Sequence, residues 1–580
     1  LPLDVLPFVQ RFAALAGVAC LGLLLARLLA PPRPAAHHED PKARGHEARS
    51  GPALSHLRAF LSNVDHATVR GEHLPIYMAV AWWMLPLFQL AMIWDAAPGV
   101  GLAPQTLWIG AGLLAALVGL GIWYALRRRG QLTSDARPTT NDQRTSDGAP
   151  GAEDHSLVAG DWLADRALVV LALAAAAHLA YNLWYAFTRS APDFWILFRG
   201  AREWTRGGSL YDLTAVTTNH FGHVFKVPPF YGMLFVPFVT LDGLTVLFFH
   251  RVINTALILA TALVWLRMWR LPLWSLAAAP LLILLNFRPL ADTVAFGQID
   301  LVLLLLLTLA LWALRARDGA LPAQAGAAPP TPDLLAGALV ALGTLFKIYP
   351  AVLLAFFALK RRWAALAGFA LGMLVFNGIA LAVMGWEMHR VYLTQVAPNI
   401  GGTTSWVENQ TISGFVARLS DSPREADIYA NQGLRLLGTA LSGAVVLLAC
   451  ALTLRPAKGD STLFALQYGQ FLLLMVLTVP AAWMHYQTLL FVPFAALLLH
   501  LRSHQVPLPR AALLATSFAL IAYGNQWSFY DGTIMGALTI AGVSYKFYGM
   551  LLLGGLLAAE QLAGWRPLPL PRPAPRLERA

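Results

Sequence analysis

The sequence predicts an all-α, polytopic membrane protein, and three observations carry that prediction. Hydrophobic residues make up 57% of the 580-residue chain and charged ones only 13%, far below the roughly 25% charge of soluble domains. Mean hydropathy is +0.57. Apolar runs approach the ~20 residues a helix needs to cross hydrocarbon, and they recur along the chain. The runs are continuous rather than alternating, which excludes a transmembrane β-barrel.

Apolar windows place spans near 8–29, 75–95, 105–126, 166–187, 245–266, 272–287, 298–314, 333–347, 350–360, 363–385, 433–454, 462–480, 484–501, 510–524 and 533–558. The first window, after Arg11, reads as an uncleaved span because it is long for a signal core and Pro31-Pro32-Arg33 is a poor cleavage context. The pair flanking Lys347 is too short for two ordinary spans and predicts a broken helix or a re-entrant pair. That leaves roughly 13 to 15 transmembrane helices. The segments divide into an N-terminal accessory module over 1–164, a core over 165–560 and a Pro/Arg-rich cytoplasmic tail over 561–580. Polar linkers at 31–74 and 130–165 belong to the module.

The net charge of +11 does not point to nucleic acid, because Lys and Arg are spread over connecting loops instead of one basic module. The positive-inside bias accounts for them: Arg127 to Arg129, Arg315 with Arg317, Lys360 to Arg362, Arg455 with Lys458, and Arg502 are placed in the cytoplasm. Asp193, Pro228-Pro229, Gly297-Gln298, Lys347, Asn409-Gln410, His485 and the stretch from Asn525 to Asp531 then all face the opposite, extracytoplasmic side. Cys20 and Cys450 lie in apolar runs and read as packing residues.

From Phe194 the apolar positions Phe194, Leu197, Phe198, Ala201 and Trp204 recur every three or four residues, with Arg199, Arg202, Glu203 and Arg206 between them. The pattern predicts a short amphipathic helix lying in the membrane interface and ended by Gly207-Gly208. Asp193 falls in its first turn, where the helix dipole favours a carboxylate. Ser190 and Asp193 fit a capping box, and Asp193 equally fits a general base.

The prolines at 228, 229 and 237 bracket an apolar stretch too short to span, which predicts an inserted arm. In FGQID, Gln298 and Asp300 open a span, and Asp300 reads as a helix cap. Lys347 lies inside an apolar pattern broken by Tyr349-Pro350. An intramembrane cation is a candidate phosphate ligand, or a lysine snorkelling from a helix end. Glu408, Asn409 and Gln410 sit in a long loop, and His485, Tyr486 and Gln487 at the mouth of a span. His220 and His223 lack accompanying carboxylates, so no metal site is expected. No phosphate-binding loop, dinucleotide fingerprint, HExxH or D-x-D motif occurs, and no cofactor is expected.

Together, Asp193-Phe194, Gly207 to Tyr211, Pro228-Pro229 with Pro237, Gly297-Gln298, Lys347 with Tyr349-Pro350, Asn409-Gln410 and His485-Tyr486 resemble, in order and spacing, the polyprenol-phosphate-mannose-dependent mannosyltransferases of glycosyltransferase family 87. These are membrane enzymes of the GT-C fold. The resemblance runs from about Asp165 to Ala559 and departs from the family at Ile299-Asp300. It implies inverting transfer of one hexose, expected to be mannose, from a polyprenyl-phosphate donor to a lipid or glycan acceptor at the extracytoplasmic face of the cell membrane. Asp193 is the implied base. Lys347, His485, Arg199 and Arg202 are the implied ligands of the donor phosphate, and Tyr211, Gln298, Tyr349, Asn409, Gln410 and Tyr486 bind substrate. A transporter or flippase of lipid-linked sugars is the rival reading; it predicts related halves and polar groups near the midplane, and no such halves are evident in the sequence.

Overall fold

The computed structural model describes residues 68–82, 155–211, 225–273, 278–318, 331–399, 402–420, 431–457, 460–523 and 543–563. The expected spans at 8–29 and 105–126, the His220/His223 pair and the stretch from Asn525 to Asp531 lie outside them. The described residues are helical almost throughout, as apolar runs of this length require where no water is present to satisfy the backbone.

A short strand, β1 (Thr68–Arg70), precedes helical residues 71–82. The core follows: α1 (His155–Phe187), α2 (Pro192–Thr205), α3 (Pro229–Met233), α4 (Gly243–Met268), α5 (Ala279–Leu284), α6 (Arg288–Phe296), α7 (Asp300–Asp318) and α8 (Thr331–Phe346). The second half is α9 (Leu353–Leu359), α10 (Trp363–Val391), α11 (Ile412–Ala417), α12 (Gln432–Thr453), α13 (Ser461–Leu477), α14 (Phe491–Leu501), β2 (Gln505–Pro507), α15 (Leu508–Ala522) and α16 (Tyr545–Ala563).

Among the described residues, four helical stretches are long and apolar enough to cross a membrane: Gly243–Met268, Trp363–Val396, Gln432–Thr453 and Met484–Leu501. Their surroundings differ. α10 and α12 turn leucines outward, Leu374 at 72% and Leu436 at 71% exposure, as lipid-facing helices do. α13 and α14 are buried almost all round and form the centre of the bundle. The expected break near Lys347 is present: α8 stops at Phe346 and the chain resumes as a 3₁₀ turn, Tyr349–Val352, with Pro350 in its first turn. A proline there has no amide proton to continue the α ladder. α10 also bends, at Gly385, whose φ of 79° only glycine adopts freely.

The two ends of the bundle carry different chemistry. Arg362 pairs with Asp333 at the start of α8, 3.4 Å apart, whereas Lys347 follows its last residue. From Asp333 to Lys347 along α8 the separation is roughly 21 Å. At the Arg362 end, Lys360 Nζ donates to the Arg455 carbonyl at 2.8 Å, so two of the predicted basic clusters meet.

Residues 68–82, placed by sequence in the accessory module, pack onto the core. β1 pairs antiparallel with β2, Val69 opposite Val506. Leu74 and Met78 are fully buried, and the Trp82 ring meets His178 of α1 edge-on at 4.8 Å. Gly71 makes this docking possible: its amide donates to the His504 carbonyl at 2.9 Å, and a Cβ there would lie 1.6 Å from the Leu501 carbonyl oxygen. Because backbone rather than a flexible side chain occupies that space, Gly71→Ala is expected to destabilise the protein by about 1–3 kcal/mol. Thermal unfolding of the detergent-solubilised variant, with limited proteolysis at 68–82, checks this; an unchanged melting temperature and cleavage pattern would contradict it.

Candidate active site

The site is assembled from helix ends. α2 begins abruptly because Ala191 takes a left-handed conformation (φ 51°) and Pro192 supplies a preset φ at the first helical position. The N-cap is therefore Ala191, and no side chain caps the helix; the Ser190/Asp193 capping box does not form. Asp193 lies in the first turn as expected. At the other end Gly207 (φ 92°) ends the helix as expected, and the Gly208 amide closes back on the Glu203 carbonyl at 3.0 Å.

The apolar face of α2 is covered by protein. Phe194, Phe198 and Ala201 are buried, with Phe194 stacked on Phe198 and edge-on to Phe235. The amphipathic spacing is real, but the apolar stripe packs on neighbouring elements instead of on a bilayer. Period and burial together fix where the arginines go. Arg202 is nine residues from Asp193, half a turn away on the helix at 100° per residue. It donates to the Val239 and Leu241 carbonyls, both at 3.2 Å. Arg199 is exposed and lies over the Trp195 ring. Neither joins the cluster described next.

Gly297 brings the second element in. It caps α6 in the left-handed region (φ 73°), and a Cβ on it would sit 2.5 Å from the Phe194 Cβ. Glycine is thus required both by conformation and by contact with the turn that carries Asp193. The chain then presents Gln298, whose Nε2 donates to Asp193 Oδ2 at 2.7 Å. Arg251, buried in α4, holds the two turns together. Its guanidinium donates to the carbonyls of Phe187 and Arg189 just before α2 and of Ala295 just before Gly297.

The third cluster centres on Asp300, the first residue of α7, which has no exposed surface. Its Oδ2 accepts from Lys347 Nζ at 2.8 Å and its Oδ1 from the Tyr349 hydroxyl at 2.6 Å. His485 Nε2 stands 3.8 Å from Oδ2, too far to bond and without another partner among the described residues. Lys347 also lies 3.9 Å over the Tyr486 ring, which packs against Tyr349 and His485. The His485 turn is fixed from outside: Thr488 Oγ1 meets Thr293 Oγ1 of α6 at 2.8 Å and donates to the Pro289 carbonyl. The helix-cap reading of Asp300 is therefore corrected. A buried ammonium needs a compensating charge, and Asp300 is that charge. The signal was in the sequence: a lysine among apolar residues implies an acid at an adjacent helix end.

Four of the implied ligands thus gather with Asp300, namely Lys347, Tyr349, His485 and Tyr486, while Gln298 joins Asp193. The remaining substrate-binding candidates are spent on architecture. The Tyr211 hydroxyl donates to the Val227 carbonyl at 2.9 Å. Asn409 donates to the Thr404 carbonyl and accepts from the Ala482 amide. Gln410 donates to the Val407 and Val543 carbonyls and accepts from the Phe547 amide. These two amides fasten the 402–411 loop to the turn before His485 and to the start of α16.

Glu408, in that loop and half-buried, is the third carboxylate near the site. Burial, with Asp292 and Asp193 adding repulsion, pushes its carboxyl up to about 7. The raised value means that the folded protein favours the neutral acid. Stability is therefore lost as pH rises from the ordinary carboxylate value through about 7. Glu408→Gln should flatten this fall in melting temperature; a variant that keeps the wild-type slope would show that another group causes it. Gly297→Ala should separate Gln298 from Asp193 and cost about 100-fold in turnover while the protein stays folded, as judged by its elution profile and melting temperature. Wild-type turnover in that variant would refute the positional role.

The profile of glycosyltransferase family 87 matches residues 225–480, a stretch that contains α3, the Gly297-Gln298 turn, Asp300, Lys347 and the 402–411 loop. A protein of Mycobacterium tuberculosis named polyprenol-phosphate-mannose-dependent alpha-(1-2)-phosphatidylinositol mannoside mannosyltransferase is 30% identical over 345 residues, covering 55% of this chain and 73% of that protein. One of the same name in Mycolicibacterium smegmatis is 28% identical over 247 residues, 39% of this chain and 52% of that protein. No solved structure matches. The match to the first relative, over most of its length and at this identity, together with the family profile, establishes that the chain belongs to glycosyltransferase family 87 and is a multi-pass membrane glycosyltransferase.

Proposed function

We propose that the chain transfers a single mannose from a polyprenyl-phosphate donor to a lipid or glycan acceptor at the extracytoplasmic face of the cell membrane, with inversion and with Asp193 as general base. The names of both relatives support mannose and the phosphate-linked lipid donor, and they favour a mannosylated phosphatidylinositol as the acceptor. The observation that carries the reading is the pairing of two differently furnished carboxylates. Asp193 is oriented by a neutral amide, Gln298, at 2.7 Å. Asp300 has one oxygen on a lysine and the other on a tyrosine and is fully enclosed. An acceptor hydroxyl cannot reach Asp300, whereas Asp193 is only partly buried.

In this reaction the acceptor hydroxyl gives its proton to Asp193 as its oxygen bonds the anomeric carbon, and the bond from that carbon to the phosphate oxygen breaks. The electron pair leaves with polyprenyl phosphate. Charge developing there is met by Lys347 and by the His485 ring, groups already fixed in a low-dielectric enclosure, so that little reorganisation is needed. Lys347 is within electrostatic range of Asp193 as well as bonded to Asp300. Base and phosphate ligand are therefore near enough to act on one substrate. Tyr349 and Tyr486 wall the cation in, and their rings offer surfaces for a sugar.

Asp193→Asn keeps the shape of the side chain and removes the base. Transfer of mannose from polyprenyl-phosphate mannose, followed by mass spectrometry of the product, should fall by about 10²- to 10⁴-fold with the protein still folded in detergent. A purified Asp193→Asn variant that transfers at the wild-type rate would end the assignment.

A further inference from the structure

Tyr231 is a buried polar group that neither the fold nor the proposed reaction accounts for. It lies in α3, the short arm bracketed by the three prolines, and is 2% exposed. Its ring is held from two sides. It meets Phe346, the residue before Lys347, edge-on at 5.4 Å, and Phe235 at 5.7 Å; Phe235 in turn packs on Phe194, the residue after Asp193. Tyr231 therefore spans the distance between the element that supplies the base and the element that supplies the cation. Its hydroxyl is within electrostatic range of both the Asp300 and Asp193 carboxylates, yet it has no hydrogen-bond partner among the described residues.

Packing alone does not ask for that hydroxyl. Its stacking on Phe346 and Phe235 would be served equally by phenylalanine, as at the adjacent Phe230, which packs on Phe346 and Phe376. Buried hydroxyls without partners are rare because losing water without gaining a bond is costly. A hydroxyl left open where two anions and a cation converge fits a ligand oxygen that arrives later.

We propose that the Tyr231 hydroxyl binds the donor, donating a hydrogen bond to an oxygen of the phosphate-linked sugar lodged between Asp193 and Lys347. The proposal deepens the reading given above and rests on it. Gly232, next in sequence, has Leu210 within 2.9 Å of where a Cβ would be, so the arm packs closely against the segment following α2.

The test is Tyr231→Phe in the full-length protein, which removes one oxygen and keeps every ring contact. Expected are a rise of about 10- to 100-fold in KM for polyprenyl-phosphate mannose, as for a lost hydrogen bond to a charged or strongly polar group, and a melting temperature equal to or above that of the wild type. A group with only a structural role would show the reverse: a lower melting temperature with KM unchanged. Donor affinity measured directly in Asp193→Asn and in Asp193→Asn/Tyr231→Phe separates binding from turnover and should show the same ratio. Unchanged KM and affinity in the Tyr231→Phe variants overturn the Tyr231 assignment while leaving the enzyme reading intact. If the wild type neither binds nor uses any polyprenyl-phosphate hexose, the enzyme reading fails first and Tyr231 falls with it.

Discussion

The ion pair between Lys347 and Asp300 constrains the rest of the site. A lysine 7% exposed and a fully enclosed aspartate tolerate burial only together, because either one alone would leave an uncompensated charge in a medium of low dielectric. Their contact ties the end of α8 to the start of α7, and the Tyr349 hydroxyl on the other oxygen ties in the 3₁₀ turn that follows. The break between α8 and α9 therefore has a cause beyond Pro350. The chain must leave the helix at Lys347 to bring both Nζ and the Tyr349 hydroxyl to one carboxylate. His485 and Tyr486 then complete the enclosure from a turn that α6 holds through two threonines.

Much of this was legible because it rests on local rules. Continuous apolar runs give helices, Gly207 ends one and Pro350 interrupts another, whereas Arg199 and Arg202, expected at the donor phosphate, are turned elsewhere by the helical period. Polar motifs scattered over 300 residues were expected on one side; Gln298 bonds Asp193, and Lys347 and His485 gather at Asp300. The role of Asp300 was missed because an acid at the first position of a helix satisfies a local explanation, a cap, and the non-local one requires knowing which lysine lies opposite. Asn409 and Gln410 show the converse. Amides in a loop look available for ligands until the loop closes and their bonds are used by backbone groups of distant segments. Arg251, a guanidinium within a predicted span, went unread because its meaning depends on three carbonyls from two other turns.

The N-terminal docking was illegible for a different reason. Three-residue strands carry almost no pattern of their own, since alternation needs more than one period to register, and β1 and β2 are separated by more than 430 positions of sequence. What the sequence did contain was Gly71 between a strand-like Thr-Val-Arg and a helical run. Its importance comes from the Leu501 carbonyl pressed against it, a close approach that no reading of neighbours in sequence can reveal.

Under the proposed reaction, the charges of the site explain why two aspartates do not interfere. The donor phosphodiester carries one negative charge and the departing phosphate monoester gains a second, while the proton released by the acceptor neutralises Asp193. The total within the site is unchanged by the chemistry; negative charge moves from the Asp193 end to the Lys347 end. Asp300 does not take part in that shift, because both of its oxygens are already bonded. Its effect is to offset the lysine, so that the cation attracts the donor without trapping the more highly charged product. An uncompensated lysine at this depth would bind the product phosphate more strongly than the substrate diester and slow its release, the wrong order for turnover, since catalysis requires tighter binding of the transition state than of either ground state. The acid that sequence reading set aside as a cap is, on this argument, the group that lets the same lysine hold the donor and release the product.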